Sequence, residues 1–76
     1  MTRLPALAGL QAFESAARHR SFTRAAAELH RTQGAISQQI AQLEQQLGVA
    51  LFQRVRQRVV ITPAGAAYLA DVQAML

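Results

Sequence analysis

Gln33, Ser37, Gln38 and Gln39 crowd the first turns of one periodic segment, and Arg54, Arg56 and Arg58 alternate along a β-branched stretch further on. The two groups suit different parts of one chemistry. Amides and hydroxyls donate and accept without charge; a glutamine can bond adenine N6 and N7 together in a major groove, and a serine can serve several base edges. Arginine is fork-shaped and permanently charged, which suits phosphate and the negative potential of a narrow minor groove. Each group also has a plainer reading, the glutamines as a solvated helix surface and the arginines as charge that keeps an edge strand from pairing with other chains. Arg24 and Arg31 flank the turn that precedes the glutamine segment and could hold phosphates, whereas Arg18 has Glu14 four residues earlier as an ion-pair partner.

Catalysis has little to draw on. The acidic groups are Glu14, Glu28, Glu44 and Asp71, the histidines are His19 and His30, and there is no cysteine. Glu28 and Glu44 fall on helical faces and read as solvated or ion-paired residues, and neither histidine has a second ligand at metal-site spacing. No glycine lies in a phosphate-cradling loop of the GxGxxG or GxxxxGK[ST] kind. The chain therefore reads as a non-enzyme with no metal and no cofactor of its own.

The elements that must position these residues follow from periodicity. Leu7, Leu10, Phe13 and Ala17 mark one face of a first helix over about Leu7–Arg18, with Pro5 suited to its first turn. Ser21 is an N-cap for a short helix, Phe22–Leu29, in which Phe22, Ala25, Ala26 and Leu29 line up. After a break of only His30, Arg31 and Thr32, Thr32 caps a longer helix in which Ile36, Ile40, Leu43 and Leu47 recur, closed by Gly48. Short helix, tight break and longer helix, with Ala26 where two backbones must approach, form a helix-turn-helix pattern. Gly34 sits in the first turn of the longer helix, where close approach to DNA or tight internal packing would each explain it. From Leu51 the period changes: Leu51–Val55 and Arg58–Thr62 read as a small hairpin around Arg56 and Gln57. Thr62 and Pro63 then start a fourth helix whose apolar face carries Ala66, Leu69, Val72, Ala74 and Leu76.

Composition bounds the rest. The 76 residues hold eight basic side chains, all arginine, against four acidic ones, for a formal charge of +4, and the pI is near 11.5. That balance implies an anionic partner. A chain this short makes at most one small domain that leans on helix packing or on a partner, without disulfides. No apolar run reaches the roughly 20 residues of a membrane span, and no signal peptide opens the chain, so the expected location is cytoplasmic. The helical pattern still running at Leu76 suggests the N-terminal piece of something longer.

These residues resemble the DNA-binding domain of the LysR-type transcriptional regulators. The matching words are Phe13-Glu14-Ser15-Ala16-Ala17, Ser21-Phe22-Thr23-Arg24-Ala25-Ala26, Thr32-Gln33-Gly34-Ala35-Ile36-Ser37, Leu43-Glu44, Leu47-Gly48-Val49, Leu51-Phe52-x-Arg54 and Thr62-x-Ala64-Gly65, in order and without gaps over nearly the whole chain. Within the family they look most like the branch of the glycine-cleavage activator and the β-lactamase regulators. The resemblance implies a mainly α fold, a winged helix-turn-helix over residues 1–62, with a small β-hairpin wing at 52–62 and the start of a linker (dimerisation) helix at 63–76. It further implies sequence-specific binding of double-stranded operator DNA, with helix 32–47 in the major groove and the wing at the minor groove and backbone. By position it puts Gln33, Gly34, Ser37 and Gln38 at base-facing places, Thr23, Arg24 and Thr32 at backbone-contact places and Arg54 at a phosphate-facing place.

The implied partners are a second subunit through the linker helix, a tetramer for the full protein and, left open, RNA polymerase. A small-molecule coinducer belongs to a C-terminal domain absent from this chain, and the location is the nucleoid. Two positions depart from the family pattern. Gln38 stands where many members carry a basic residue, and Gln57 stands where a wing-tip arginine often enters the minor groove, so Arg56 or Arg58 is expected to take that role. The competing classes are a protein-interaction module that only dimerises, and non-specific binding of RNA or an acidic membrane. No aromatic stacking platform supports RNA, and no helix pairs a strongly basic face with a wide apolar one.

Overall fold

Hydroxyl side chains begin three of the helices. In the computed structural model, which describes residues 6–56 and 58–76, Ser21, Thr32 and Thr62 accept hydrogen bonds from the backbone N–H groups of Arg24, Ala35 and Gly65. Each bond satisfies a donor that the first helical turn leaves free. The elements are α1 (Leu7–His19), α2 (Phe22–Leu29), α3 (Gln33–Leu47), β1 (Phe52–Val55), β2 (Arg58–Ile61) and α4 (Pro63–Met75). Helix-turn-helix, hairpin and fourth helix thus occur in the expected order, and the architecture is a winged helix-turn-helix. Pro5 and Gln57 lie outside the described residues.

The helices stop where the backbone turns left-handed. Gly48 does so after α3 at φ 75°, and Arg20 and His30 do so after α1 and α2 at φ 54° and 56°. Only the glycine could be foreseen, because a side chain resists this conformation by about 1–2 kcal/mol.

α1 is the centre of the molecule and packs against α2, α3 and α4. Its buried residues are Gly9, Leu10, Ala12, Phe13, Ser15 and Ala16, while Leu7 is exposed and Ala17 half-buried. This corrects the predicted stripe, which assumed one covered face: neighbours on several sides bury a wider set and leave the first turn uncovered. The same reasoning corrects α4. Only Gly65 and Val72 are buried there, Tyr68 and Leu69 are half-buried, and Ala66, Ala74 and Leu76 face outward.

All four aromatic side chains join one chain of rings. Phe22 meets Phe52 edge-on at 5.6 Å between centroids, Phe52 meets Phe13 at 5.5 Å, and Phe13 meets Tyr68 at 5.7 Å. Phe52 therefore ties the hairpin to α1 and α2, and burying such rings stabilises strongly. Phe52 pairs with Ile61 and Arg54 with Val59 in the antiparallel register.

Leu51 is fixed from two directions. Glu44 accepts from the N–H groups of Leu51 and Phe52 at 2.7 and 3.2 Å, and the Leu51 carbonyl accepts from Thr62 N–H at 3.0 Å. Glu44 is thus an acceptor that seats the start of the hairpin, a correction to its reading as a solvated or ion-paired helix residue. A Cβ on Gly65 would run into the Leu51 carbonyl and come within 2.8 Å of Ile61 Cγ1, so the junction of wing and α4 has no room for a side chain there.

Candidate nucleic-acid interface

The first turns of α3 present an uncharged, open surface. Gln33, Gly34 and Gln38 are exposed and Ser37 is half-buried, while Ile36 and Ile40 point into the core. Gln39 belongs elsewhere: its carbonyl and side-chain oxygens lie 3.7 and 3.8 Å from the place of a Cβ on Gly9, so it packs beside α1 and not with the other glutamines. Nothing lies within 4 Å of a Cβ built on Gly34. Of the two explanations for that glycine, internal packing is therefore removed.

An open cleft separates this turn from the wing. It is bordered by Arg20, Ser21, Phe22, Thr23, Gln33, Phe52, Arg54, Arg58 and the strand Val59–Ile61. It brings together Thr23, Gln33, Arg54 and Arg58, and it does not include Arg24, Arg31 or Arg56. Arg54 reaches across the face of Phe22, with its guanidinium carbon 5.7 Å from the ring centroid, a geometry attractive for a cation. Thr23 Oγ1 donates to Gln33 Oε1 at 3.2 Å, linking the first turns of α2 and α3.

The wing arginines do not share one side of the ribbon. Arg58 pairs with Val55 and Arg54 with Val59, so the two leave opposite faces of the hairpin, and both border the cleft. Arg56 occupies the turn with a left-handed φ of 51°, which is uncommon for a residue with a side chain. Arg24, Arg31 and Thr32 are exposed around the break between α2 and α3.

Arg20 was not foreseen. It follows α1 in the left-handed conformation and is exposed beside the cleft; its one sequence signal is its place immediately before the capping Ser21.

Arg18 is committed inside the molecule. It donates to both Glu14 oxygens at 3.0 and 3.1 Å and to Glu28 Oε2 at 2.9 Å. Glu28 also accepts from the buried Ser15 hydroxyl at 2.6 Å and lies 3.3 Å from His19. The Arg18 and Ser15 hydrogen bonds hold the Glu28 carboxyl down at about 2. Among the described residues Arg20, Arg24, Arg31, Arg54, Arg56 and Arg58 have no ion-pair partner. Their charge is available to something outside the chain, and an anionic polymer matches both the arginines and the neutral amide surface beside them.

Among the described residues no three metal-ligating side chains gather at one place, and no helix is long and apolar enough to cross a membrane.

Residues 7–66 match the family described as bacterial regulatory helix-turn-helix protein, lysR family. The chain is 49% identical over 71 residues to the glycine cleavage system transcriptional activator of Escherichia coli K12, covering 93% of this chain and 23% of that protein. It is 52% identical over 63 residues to the transcriptional activator AmpR of Pseudomonas aeruginosa, covering 83% of this chain and 21% of that one. The chain thus spans about a quarter of the length of its curated relatives. Among solved structures, the CbnR DNA-binding domain in complex with DNA superposes with a TM-score of 0.87 at 33% identity, over 92% of this chain and 80% of that one. Oxidised OxyR of Corynebacterium glutamicum superposes with a TM-score of 0.91 at 35% identity, over 99% of this chain and 24% of that one.

Proposed function

The chain belongs to the lysR family of bacterial regulatory helix-turn-helix proteins, and from that premise we propose that it binds double-stranded operator DNA in a sequence-specific manner. α3 enters the major groove through Gln33, Gly34, Ser37 and Gln38. The wing lies at the minor groove and backbone, with Arg54 on phosphate and Arg56 or Arg58 at the tip; Arg20, Arg24, Arg31 and Thr32 add backbone contacts. The observation that carries the reading is the open, uncharged first turn of α3 beside arginines that form no ion pair among the described residues. The arginines supply affinity and the amides and hydroxyl supply choice of base. The lysR-family DNA-binding domains solved with DNA, CbnR and BenM, support the same reading.

The protein acts as a homodimer through α4, with tetramers for the full-length regulator, in the cytoplasm at the nucleoid. Support for dimerisation is the exposure of Leu7, Met75 and Leu76, which with the half-buried Leu29 border one open depression. A C-terminal domain of the full protein takes a small-molecule coinducer, and RNA polymerase is a further partner of the DNA-bound form. One competition experiment tests the core of this: binding to a duplex selected from a randomised pool, challenged with random duplex, structured RNA and anionic vesicles. Preference for the selected duplex is expected. Equal competition by the random duplex would reject sequence specificity, and displacement by RNA or vesicles alone would move the protein to another class.

A further inference from the structure

We infer that Thr23 acts on DNA recognition through Gln33, as a positioning residue that orients the Gln33 amide, and not as a phosphate ligand. The inference rests on the DNA-binding reading above. Thr23 stands in the first turn of α2, and its hydroxyl donates to Gln33 Oε1 at 3.2 Å. A threonine hydroxyl has one proton, and a phosphodiester oxygen can only accept. With its proton given to Gln33, Thr23 has none left for the DNA backbone. Ser21 and Thr32 sit elsewhere in the motif, where their hydroxyls accept from Arg24 N–H and Ala35 N–H.

The consequence falls on base choice. A glutamine free to rotate can pair with adenine by placing its carbonyl against N6–H and its NH2 against N7. Here Thr23 Oγ1 takes one lone pair of the carbonyl, which holds the amide toward the first turn of α2. An amide held in one orientation presents its NH2 and its remaining carbonyl lone pair from fixed places, so it discriminates among bases more sharply than one free to rotate. Thr23 therefore narrows the reading that Gln33 alone would allow.

The test is selection of bound sequences from a randomised duplex pool by the parental protein and by Thr23→Val, Thr23→Ser and Gln33→Ala. Valine matches threonine in shape, and the position is exposed, so the fold should tolerate it. Thr23→Val is expected to relax the base preference at one base pair of each half-site by about fivefold or more. Affinity for the unselected pool should change by less than about twofold, because every interaction with phosphate is retained. Thr23→Ser should keep the parental preference, and Thr23→Val should add nothing in the Gln33→Ala background. An unchanged motif in Thr23→Val, or a weakening shared equally by all sequences, overturns the inference and leaves the DNA-binding reading standing. A parental protein that enriches no sequence removes that reading, and this inference with it.

Discussion

Arg18 and Arg54 carry the same guanidinium, and their surroundings differ in kind. At the junction of α1 and α2, Arg18 is gripped by Glu14 and Glu28, with Ser15 and His19 completing the network. At the cleft, Arg54 lies over an uncharged ring and, like Arg20 and Arg58, meets no carboxylate among the described residues. Two of the four acidic residues are committed to one arginine at the first region. The difference teaches that the acids are not spread evenly against the positive charge: they neutralise it where α1 and α2 join and leave it unpaired at the cleft, around the α2–α3 break and in the wing turn. One region gives up charge for cohesion, and the other holds charge in reserve for a partner.

Removing charge from each region should therefore break different properties. Arg54→Ala combined with Arg58→Ala is expected to give the largest effect, lowering affinity for duplex DNA by about tenfold or more per arginine and reducing the salt slope by roughly one for each phosphate no longer neutralised. Arg18→Ala removes the same charge and should lower the melting temperature while leaving the salt slope unchanged; a fall in slope equal to that of Arg54→Ala would erase the distinction between the regions. Arg56→Ala and Arg58→Ala, measured singly at several salt concentrations, show which of them serves the wing tip, and unchanged affinity and slope in both would remove that role from either.

Next in size is the contrast between charge and amide. Gln33→Ala should cost roughly 1–3 kcal/mol at one base pair of each half-site and little elsewhere, measured by binding to single-pair operator variants. An even weakening over all sequences would class Gln33 with the arginines.

The ion-paired region has its own pH signature. The folded-state Glu28 carboxyl is lowered to about 2 from an ordinary 4.5, so the unfolded chain binds the proton first as pH falls. Its contribution to stability is full above about 4.5 and is lost as pH falls through about 2. Melting temperature should decline across that window, and Glu28→Gln should flatten the decline while lowering stability at neutral pH. A decline of unchanged steepness in Glu28→Gln would assign it to other groups.

The smallest expected change is also the most selective. Gly34→Ala should leave stability unchanged or raise it by up to about 1 kcal/mol, since alanine is the better helix former and its methyl meets nothing among the described residues. Affinity for the selected duplex should fall nonetheless if the space belongs to DNA. A variant that is more stable and binds equally well would show that Gly34 faces only solvent.

Much of this was legible in local signals. Ser21, Thr32 and Thr62 followed by periodic apolar residues locate α2, α3 and α4, because a cap and its first turn involve neighbours in sequence. Gly48 marks the end of α3 for the same reason. The apolar stripes of α1 and α4 were less legible, since burial depends on how many elements surround a helix and periodicity records only that one face differs from another. Glu44 gave no sign of its service to Leu51, because the partner is a backbone amide whose direction is set by the chain beyond α3. Arg20 was missed because nothing in its own neighbourhood says that the wing folds back toward it.

By itself the sequence determined the order and type of the elements, the surplus of arginine over acid, the family, and the neutral amides at the head of the long helix. These depend on residue identity and on spacings within a few turns. Only the tertiary structure decided which arginines are neutralised, which glutamines face out, that Gly34 borders empty space, and that Thr23 meets Gln33. An ion pair or a hydrogen bond forms over about 3 Å, and whether groups ten or more residues apart come that close is settled by how helices pack, which here is set by α1 and the chain of rings around it.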